Sequence, residues 1–356
     1  MTAPATVPIE DSGAAKGADR MLLSADGRWM MLEYRLGAEL PLIVRLDRRG
    51  ETEPAVARGL PAGPPSADGT VFYVEQEAAD MRTILASPPA ERRSHLRRLG
   101  AAERLLSLDG AYGAWPVGDG AVVMFGGPGD RVEVMLVAAG DKVAAGDGRV
   151  RTRREALAGL GYMAGVAVAG ERLVLLFDPS SSVADPVRTD GLILVGLSTK
   201  DLSEAWRREA IKPEPMFTRP SLGASAGQVL LTSQTSAMVA SFDLATGAPG
   251  PTASMPPGVG LVHFVYPAKP SEHPLLLWTK PRRKGSGRRG WHLLQVRGDR
   301  IASVADRPDE LPPAAAAWDG DKALLAPYGP PRSRDHVDEW APPFADYMKR
   351  LDGAGP

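Results

Sequence analysis

Three of the five histidines lie close together in the sequence, and histidine is the side chain best suited to acid/base chemistry near neutral pH. His263 and His292 each fall in an apolar run of the β type, and His273 falls in the turn after the first of these runs. We therefore expect the three side chains to be spread over separate strands and turns rather than to share a metal. His336 has two carboxylates nearby, but no periodic pattern surrounds it. The sequence predicts neither a metal site nor a cofactor.

A second chemical signal is the pentapeptide Gly223–Gly227, which fits the G-x-S-x-G pattern of the nucleophile elbow in α/β-hydrolases. That elbow needs a helix directly after the serine, whereas Gln228–Thr232 is a run typical of a strand. We therefore interpret the pentapeptide as a chance match. The chain also contains no cysteine and no asparagine, which excludes disulfides, thiolate nucleophiles and cysteine-ligated zinc sites.

The densest charge in the sequence is the segment 281–290, which carries five cations between two strand-like runs. Arginine forms forked hydrogen bonds to carboxylates and phosphates, so this segment is a candidate contact for a small anion or an acidic protein surface. The alternative is a solvated hairpin. The arginines concerned are Arg282, Arg283, Arg288 and Arg289. The formal net charge of the chain is −1, so no overall field favours a nucleic-acid partner.

One short pattern recurs along the chain and indicates a repeat architecture. Ser24–Gly27 and Ser66–Gly69 both read Ser-Ala-Asp-Gly, and each is followed by an apolar run, Trp29–Leu32 and Val71–Val74 respectively. Looser copies of a turn before a strand-like run occur five more times. The seven turn markers are Gly27, Gly69, Gly120, Gly170, Gly227, Pro274 and Gly320. The gaps between them are 42, 51, 50, 57, 47 and 46 residues, close to the length of a four-stranded propeller blade.

Most copies contain a further strand-like run, such as Leu42–Leu46 followed by the turn Asp47–Gly50. A Ser-x-Asp-Gly turn, an apolar strand and then a strand ending in Leu-Asp-x-x-Gly resemble the TolB-type, WD40-like β-propeller repeat. The resemblance is good in the first two copies and rests on the strand pattern in the other five, so it implies an architecture and transfers no catalytic residue. We predict an all-β, seven-bladed β-propeller over residues 1–328, with six or eight blades or a pair of β-sandwiches as alternatives.

The resemblance also implies which side chains reach the central channel. In such propellers the innermost strand runs toward the Ser-x-Asp-Gly turn, so residues shortly before each marker are expected at one face. The ligand-binding candidates chosen in this way are Asp19, Arg20, Tyr112 and Arg219. The acid/base candidates, should the protein be an enzyme, are His263, Asp109 and Tyr162.

Two functions fit this pattern. The first is a binding or scaffold protein that recognises a protein or a small anionic or aromatic molecule through one face. The second is an enzyme, such as a lyase, hydrolase or cyclase, that uses acid/base residues at the channel mouth. The absence of a catalytic motif favours the first, because fold alone carries no functional warrant. The oligomeric state stays open.

The two ends of the sequence carry their own expectations. Residues 1–20 contain no apolar run, so we expect a cytoplasmic protein with no membrane partner. Residues 329–356 form a Pro-rich tail that breaks the repeat pattern. Phe344, Tyr347, Met348 and Leu351 follow helical spacing within it, which predicts a short amphipathic helix that docks on the propeller or on a partner.

Overall fold

The computed structural model describes most of the predicted repeats. The described residues are 9–11, 15, 17–35, 39–60, 63–78, 80, 83–84, 87, 91–101, 104–117, 120–126, 132–138, 151–157, 160–179, 191–211, 220–225, 227–233, 238–254, 262–267, 275–279, 291–307, 313, 315–318 and 322–326. Within these ranges every named secondary-structure element is a β-strand, and helical residues are confined to Ala15, Thr83, Ile84 and Glu91. The predicted C-terminal helix and tail lie outside the described residues.

The strands are numbered in chain order. They are β1 (Ile9–Asp11), β2 (Arg20–Leu23), β3 (Trp29–Tyr34), β4 (Leu42–Asp47), β5 (Ala55–Arg58), β6 (Phe72–Gln76), β7 (Arg93–Arg98), β8 (Arg104–Asp109), β9 (Ala111–Val117), β10 (Gly120–Gly126), β11 (Val132–Ala138), β12 (Arg151–Leu157), β13 (Tyr162–Ala169), β14 (Arg172–Asp178), β15 (Leu192–Ser198), β16 (Glu204–Ile211), β17 (Pro220–Ser225), β18 (Gln228–Ser233), β19 (Met238–Asp243), β20 (Pro249–Ser254), β21 (Val262–Pro267), β22 (Leu275–Thr279), β23 (Trp291–Arg297), β24 (Arg300–Arg307), β25 (Ala315–Trp318) and β26 (Ala323–Ala326).

The contacts divide the chain into two compact units, which are described separately. The N-terminal unit is formed chiefly by residues 10–156, and the C-terminal unit chiefly by residues 157–312. In the N-terminal unit, β2–β5 and β9–β12 are four-stranded sheets and β6–β8 is a three-stranded sheet, and in each of them strands adjacent in sequence pair with one another. In the C-terminal unit, β13–β16, β17–β20 and β21–β24 form three such meanders. Their first strands β13, β17 and β21 contact one another in succession.

A succession of short antiparallel meanders is the construction of a β-propeller, in which each meander is one blade. A β-sandwich would instead show the Greek-key connections that carry the chain between two sheets. The predicted all-β, propeller-type fold is therefore confirmed, and the number of blades stays a prediction. The N-terminal strand β1 pairs with β26, which pairs with β25.

The second sheet departs from the pattern that the sequence predicts. A regular innermost strand is expected before the Ser66–Gly69 turn, but Leu60 makes only a single bridge, to Val74, with its main-chain N–H donating to the Val74 oxygen at 2.8 Å. Gly63 N–H donates to the oxygen of Ala114 on β9 at 3.1 Å. Pro64 and Pro65 have no N–H to add to a ladder, so a regular strand cannot continue through them.

Apolar residues of these strands fill a core within each unit. In the N-terminal unit, Leu60, Phe72, Leu96 and Phe125 belong to one buried cluster. In the C-terminal unit, alternate residues of β14, including Val174 and Leu176, pack with Val229 and Leu231 of β18. Because neighbouring sheets supply both sides of each cluster, burial of apolar area joins one sheet to the next.

Two tryptophans attach a sheet to a turn of the following sheet. Trp29 of β3 is 6% exposed, and its Nε1 donates to the main-chain oxygen of Ala67 at 3.2 Å. Its ring lies against Gly69, and the guanidinium groups of Arg28 and Arg45 lie 4.8 and 5.0 Å from the ring centroid. The contact explains why the second Ser-x-Asp-Gly turn carries glycine, since a larger residue would enter the indole.

Trp206 of β16 makes the corresponding contact in the C-terminal unit. Its Nε1 donates to the main-chain oxygen of Leu244 at 3.0 Å, and its ring lies against Gly247 in the turn between β19 and β20. Arg208 Nε donates to the oxygen of the same glycine at 2.6 Å. An indole on a glycine turn is thus used in both units to join consecutive sheets.

We expect Gly69→Ala to lower the free energy of unfolding more than Gly50→Ala. Both glycines have positive φ, +82° and +72°, so alanine at either costs about 1–2 kcal/mol. A Cβ at position 69 would lie 2.5 Å from Trp29 Cδ2, which adds about 1–3 kcal/mol, whereas nothing lies within 4 Å of a Cβ at position 50. Urea denaturation measures both variants; equal losses would contradict the role of the Trp29 contact.

Asp47, at the end of β4, should support the N-terminal unit in a pH-dependent way. Hydrogen bonds from Arg28 lower the pKa of Asp47 from 3.8 to about 2. The carboxylate is thus charged in the folded state at pH values where the unfolded chain is protonated, so its stabilisation is present above pH 3.8 and is lost as the pH falls toward 2. We expect the difference in urea midpoint between the native protein and Asp47→Asn to shrink over this window. A difference independent of pH would contradict the assignment.

Candidate functional site

Two of the predicted ligand-binding residues lie together at the start of β2. Asp19 directly precedes the strand and Arg20 is its first residue, at the edge of the sheet opposite the Ser24–Gly27 turn. In the register of β2 and β3, Arg20 stands opposite Glu33, and Arg20 Nε lies 3.0 Å from Glu33 Oε2. The side chain of Glu33 is only 1% exposed. Arg20 therefore supplies a positive charge to a buried carboxylate.

A second arginine occupies the other oxygen of the same carboxylate. Arg35 Nε donates to Glu33 Oε1 at 2.7 Å, while its side chain remains 60% exposed. The main-chain N–H of Arg35 donates to Asp19 Oδ2 at 2.6 Å, and Asp19 N–H donates to the main-chain oxygen of Glu33 at 2.8 Å. We call Asp19, Arg20, Glu33 and Arg35 the rim cluster.

The electrostatics of the rim cluster follow from the burial of one of its charges. An isolated carboxylate is costly to remove from water, and two guanidinium groups on its two oxygens offset that cost. Desolvation lowers the pKa of Arg35, but the negative charge and the hydrogen bond of Glu33 together outweigh desolvation, so the pKa of Arg35 is raised. Desolvation also raises the pKa of Asp19, although this carboxyl keeps some exposed surface and the N–H and charge of Arg35 act in the opposite direction. The exposed chemistry of the cluster is thus cationic at Arg35 and weakly acidic at Asp19.

A further ion pair lies along the same edge of the sheet. Arg58, the last residue of β5, donates through Nη1 to Glu39 Oε2 at 2.7 Å, just before β4 begins. Both side chains are about one-third exposed. Strands β2 and β4 begin at this edge, and strands β3 and β5 end there. Arginine and carboxylate side chains therefore lie side by side along the edge of the first sheet, where a polar ligand could contact them.

The structure corrects the predicted position of Asp109 but not that of Tyr112. Asp109 is expected at the start of an innermost strand, but it is the exposed last residue of β8, and β9 begins only at Ala111. The reason is that a single residue, Gly110, connects the two strands. Tyr112 does lie on β9, but its half-buried ring packs against the core cluster that contains Phe72 and Phe125, so it is chiefly a packing residue.

The remaining predicted residues lie on other strands or beyond the described part of the chain. Tyr162 is the first residue of β13, and His263 lies on β21 opposite Leu277; only their backbone is described. The other candidates lie outside the described residues: Arg219, Arg282, Arg283, Arg288 and Arg289.

The residue that organises the rim cluster, Glu33, is not among the predicted ones. It is the single charged residue in the buried strand Trp29–Tyr34, and such a residue has to find a partner. That signal was available in the sequence, but identifying Arg20 as its partner requires the register of β2 and β3.

Among the described residues, no three His, Asp or Glu side chains are grouped so that they could hold a metal. In the same part of the chain, no helix is long and apolar enough to cross a membrane.

Comparisons with known proteins find similarity to solved structures and none to families or curated sequences. No protein-family model matches the chain, and no curated protein matches it. KlHsv2 with loop 6CD replaced by a Gly-Ser linker is 10% identical, with 85% of this chain and 86% of that chain covered and a TM-score of 0.49. The WD40 domain of Toxoplasma gondii coronin is 10% identical, with coverages of 88% and 76% and a TM-score of 0.48.

A third similar structure is a prolyl endopeptidase, from a study of inter-domain dynamics in two such enzymes. It is 14% identical, and the match covers 81% of this chain but 42% of that chain, with a TM-score of 0.48. At identities of this size none of the three carries a function to this chain. The class of the protein is therefore defined by its own architecture, a succession of antiparallel meanders of the β-propeller type.

We expect Glu33→Gln to destabilise the protein by about 1–3 kcal/mol. The substitution leaves two guanidinium groups without their shared counter-charge, and the loss falls below that of a fully buried pair because Arg20 and Arg35 retain contact with water. Glu39→Gln is the matched control, since it removes a partly exposed pair worth at most about 1 kcal/mol. Equal free energies of unfolding for the two variants would contradict the proposed role of Glu33.

Proposed function

We propose that this protein is a cytoplasmic propeller that binds a protein or a small anionic ligand through the rim cluster. The observation that supports the proposal is the fixed position of two arginines on the two oxygens of one buried carboxylate. Arg20 contacts Glu33 Oε2 at 3.0 Å and Arg35 contacts Glu33 Oε1 at 2.7 Å. Burying this charge costs desolvation free energy that an apolar residue at the same position would not cost. Its presence at the edge of a sheet therefore supports a role beyond packing.

The rim cluster has the chemistry for recognising a carboxylate or a phosphate. A guanidinium carries five N–H donors, and the contact with Glu33 uses the Nε of Arg35, so the terminal nitrogens of this exposed side chain carry the other four. Anchoring the Nε also reduces the side-chain entropy that would be lost when a ligand binds. A ligand that presents two oxygens can accept a forked pair of hydrogen bonds there.

The same geometry argues against acid/base catalysis at this rim. Both oxygens of Glu33 contact guanidinium groups, so this carboxylate acts as a counter-ion and is not positioned to take a proton from a substrate. Asp19 already accepts the main-chain N–H of Arg35. Asp109, the acid predicted for an enzyme, ends a different sheet. Binding is therefore the function that the rim cluster supports best.

Isothermal titration calorimetry tests the proposal with inorganic phosphate, citrate, nucleoside monophosphates and an acidic peptide. We expect one of these ligands to bind the native protein. Arg35→Gln should weaken its binding by about tenfold or more, because one or two charge-assisted hydrogen bonds to the ligand are lost. Arg300→Gln is the control, because Arg300 is 78% exposed and lies on β24, far from the rim cluster in sequence. Unchanged affinity in Arg35→Gln, with loss on replacement of Arg282 and Arg283 instead, would contradict binding at the rim.

A further inference from the structure

One face of the sheet β6–β8 is lined with polar side chains. Glu75, His95 and Ser107 are paired across the three strands, one residue on each strand. Alternate residues on β7, such as Ser94 and Leu96, turn to the other face and are buried. The polar row is therefore a product of strand register, and it lies apart from the rim cluster.

His95 lies between a hydroxyl group and a carboxylate. Its Nδ1 is 3.2 Å from Ser107 Oγ, and its Nε2 is 3.1 Å from Glu77 Oε1. The imidazole is only 7% exposed, whereas Ser107 is exposed and Glu77 is 47% exposed. A base that is held in place by the sheet is thus bonded to an accessible hydroxyl.

The register explains why His95 and Ser107 meet. Gly110 N–H donates to the oxygen of Arg92 at 2.8 Å, which makes these two residues a hydrogen-bonded pair of the antiparallel ladder. Such pairs alternate with pairs whose main chains do not hydrogen-bond to each other. His95 and Ser107 lie three residues further along and form a pair of this second kind, in which the two side chains approach most closely. The same alternation turns the main-chain N–H of Ser107 away from β7, toward the outer edge of β8.

The neighbouring acids have separate partners. Glu75 accepts two hydrogen bonds from Arg97, at 2.9 and 3.1 Å, so its charge is matched within the sheet. Glu77 accepts from the imidazole. Since a carboxylate can only accept, Nε2 carries the proton, and in the neutral imidazole Nδ1 is then the nitrogen that accepts the Ser107 hydroxyl proton.

We propose that Ser107, His95 and Glu77 are a nucleophile, general base and orienting acid that transfer acyl groups from small activated esters. The three roles, with a base bonded to both the nucleophile and an acid, are those of the serine hydrolase triad, which is recognised by geometry and not by sequence order. Here the imidazole presents Nδ1 to the serine and Nε2 to the acid, the reverse of the chymotrypsin arrangement. The outward N–H of Ser107 is the donor on hand for the developing oxyanion.

The reaction balances with water as the second substrate. Ser107 Oγ attacks the acyl carbon as its proton passes to His95 Nδ1, and the ester C–O bond breaks. The proton then passes to the leaving alkoxide, which departs as the alcohol. Water attacks the acyl-serine with His95 again taking the proton, which returns to Ser107 Oγ as the carboxylic acid leaves. Glu77 stabilises the imidazolium through Nε2–H in both halves.

Labelling of the intact protein with a fluorophosphonate tests the proposal, because Ser107 Oγ would displace fluoride and retain the phosphonyl group. We expect a single adduct on Ser107 by peptide mass spectrometry, and labelling that is slower by about 100-fold or more in His95→Gln and Glu77→Gln. Glu77 is half exposed, so its variant keeps the test valid should the variant of buried His95 fail to fold.

Two controls separate the triad from general serine reactivity. Ser203 is exposed and donates to Asp201 at 2.7 Å, so Ser203→Ala should not change the labelling. Glu75→Gln removes the neighbouring acid and should leave the rate intact. Hydrolysis of p-nitrophenyl acetate should be lost in Ser107→Ala and retained in both controls. An absence of label, a label on other serines, or labelling of Ser107 that is unchanged in His95→Gln and Glu77→Gln would overturn the proposal.

Discussion

A buried carboxylate, Glu33, sets the conditions under which the first sheet can form. Its strand, β3, is buried throughout, so its charge must be matched by residues that the neighbouring backbone brings within reach. Pairing of β2 with β3 brings Arg20, and the end of β3 brings Arg35. Once these partners are in place, the main chain around Asp19 is held as well, because its carboxylate and its N–H both bond to β3 and the residue that follows it.

The contacts between sheets obey a related constraint. Blades of a propeller must approach closely while each keeps its own hydrogen-bonded ladder. Trp29 and Trp206 meet that condition by resting on glycine turns of the following sheet and donating to a carbonyl there. The glycines in these turns are thus required both for the backbone conformation and for the space that the indole occupies.

Much of the fold follows from the sequence, but the sites follow from register. The spacing of turn markers and the apolar runs predict the meanders, and the position of Asp19 and Arg20 at the start of a strand agrees with that prediction. Asp109 is assigned to the wrong strand because Gly110 alone separates β8 from β9, a connection too short for a repeat-length argument to detect.

The need for strand register is clearer still for two other sites that the sequence does not predict. These are Glu33 with its arginines and the group formed by His95, Ser107 and Glu77. Arg20 and Ser107 stand on other strands than Glu33 and His95, and the two partners of His95 are 12 and 18 residues away from it in sequence, so no local pattern marks these contacts. A shift of one residue in register would turn His95 to the other face of the sheet. The chemistry of such sites therefore becomes visible only when the ladders are known.

The most direct measurement of the central claim is the ¹⁵N–¹H spectrum of arginine Nε groups during titration with the ligand found by calorimetry. If the rim cluster binds, the Nε–H resonances of Arg20 and Arg35 should be resolved in the free protein because Glu33 protects them, and both should shift on addition of ligand. Ligand-dependent shifts confined to other arginines, with these two unmoved, would contradict the account.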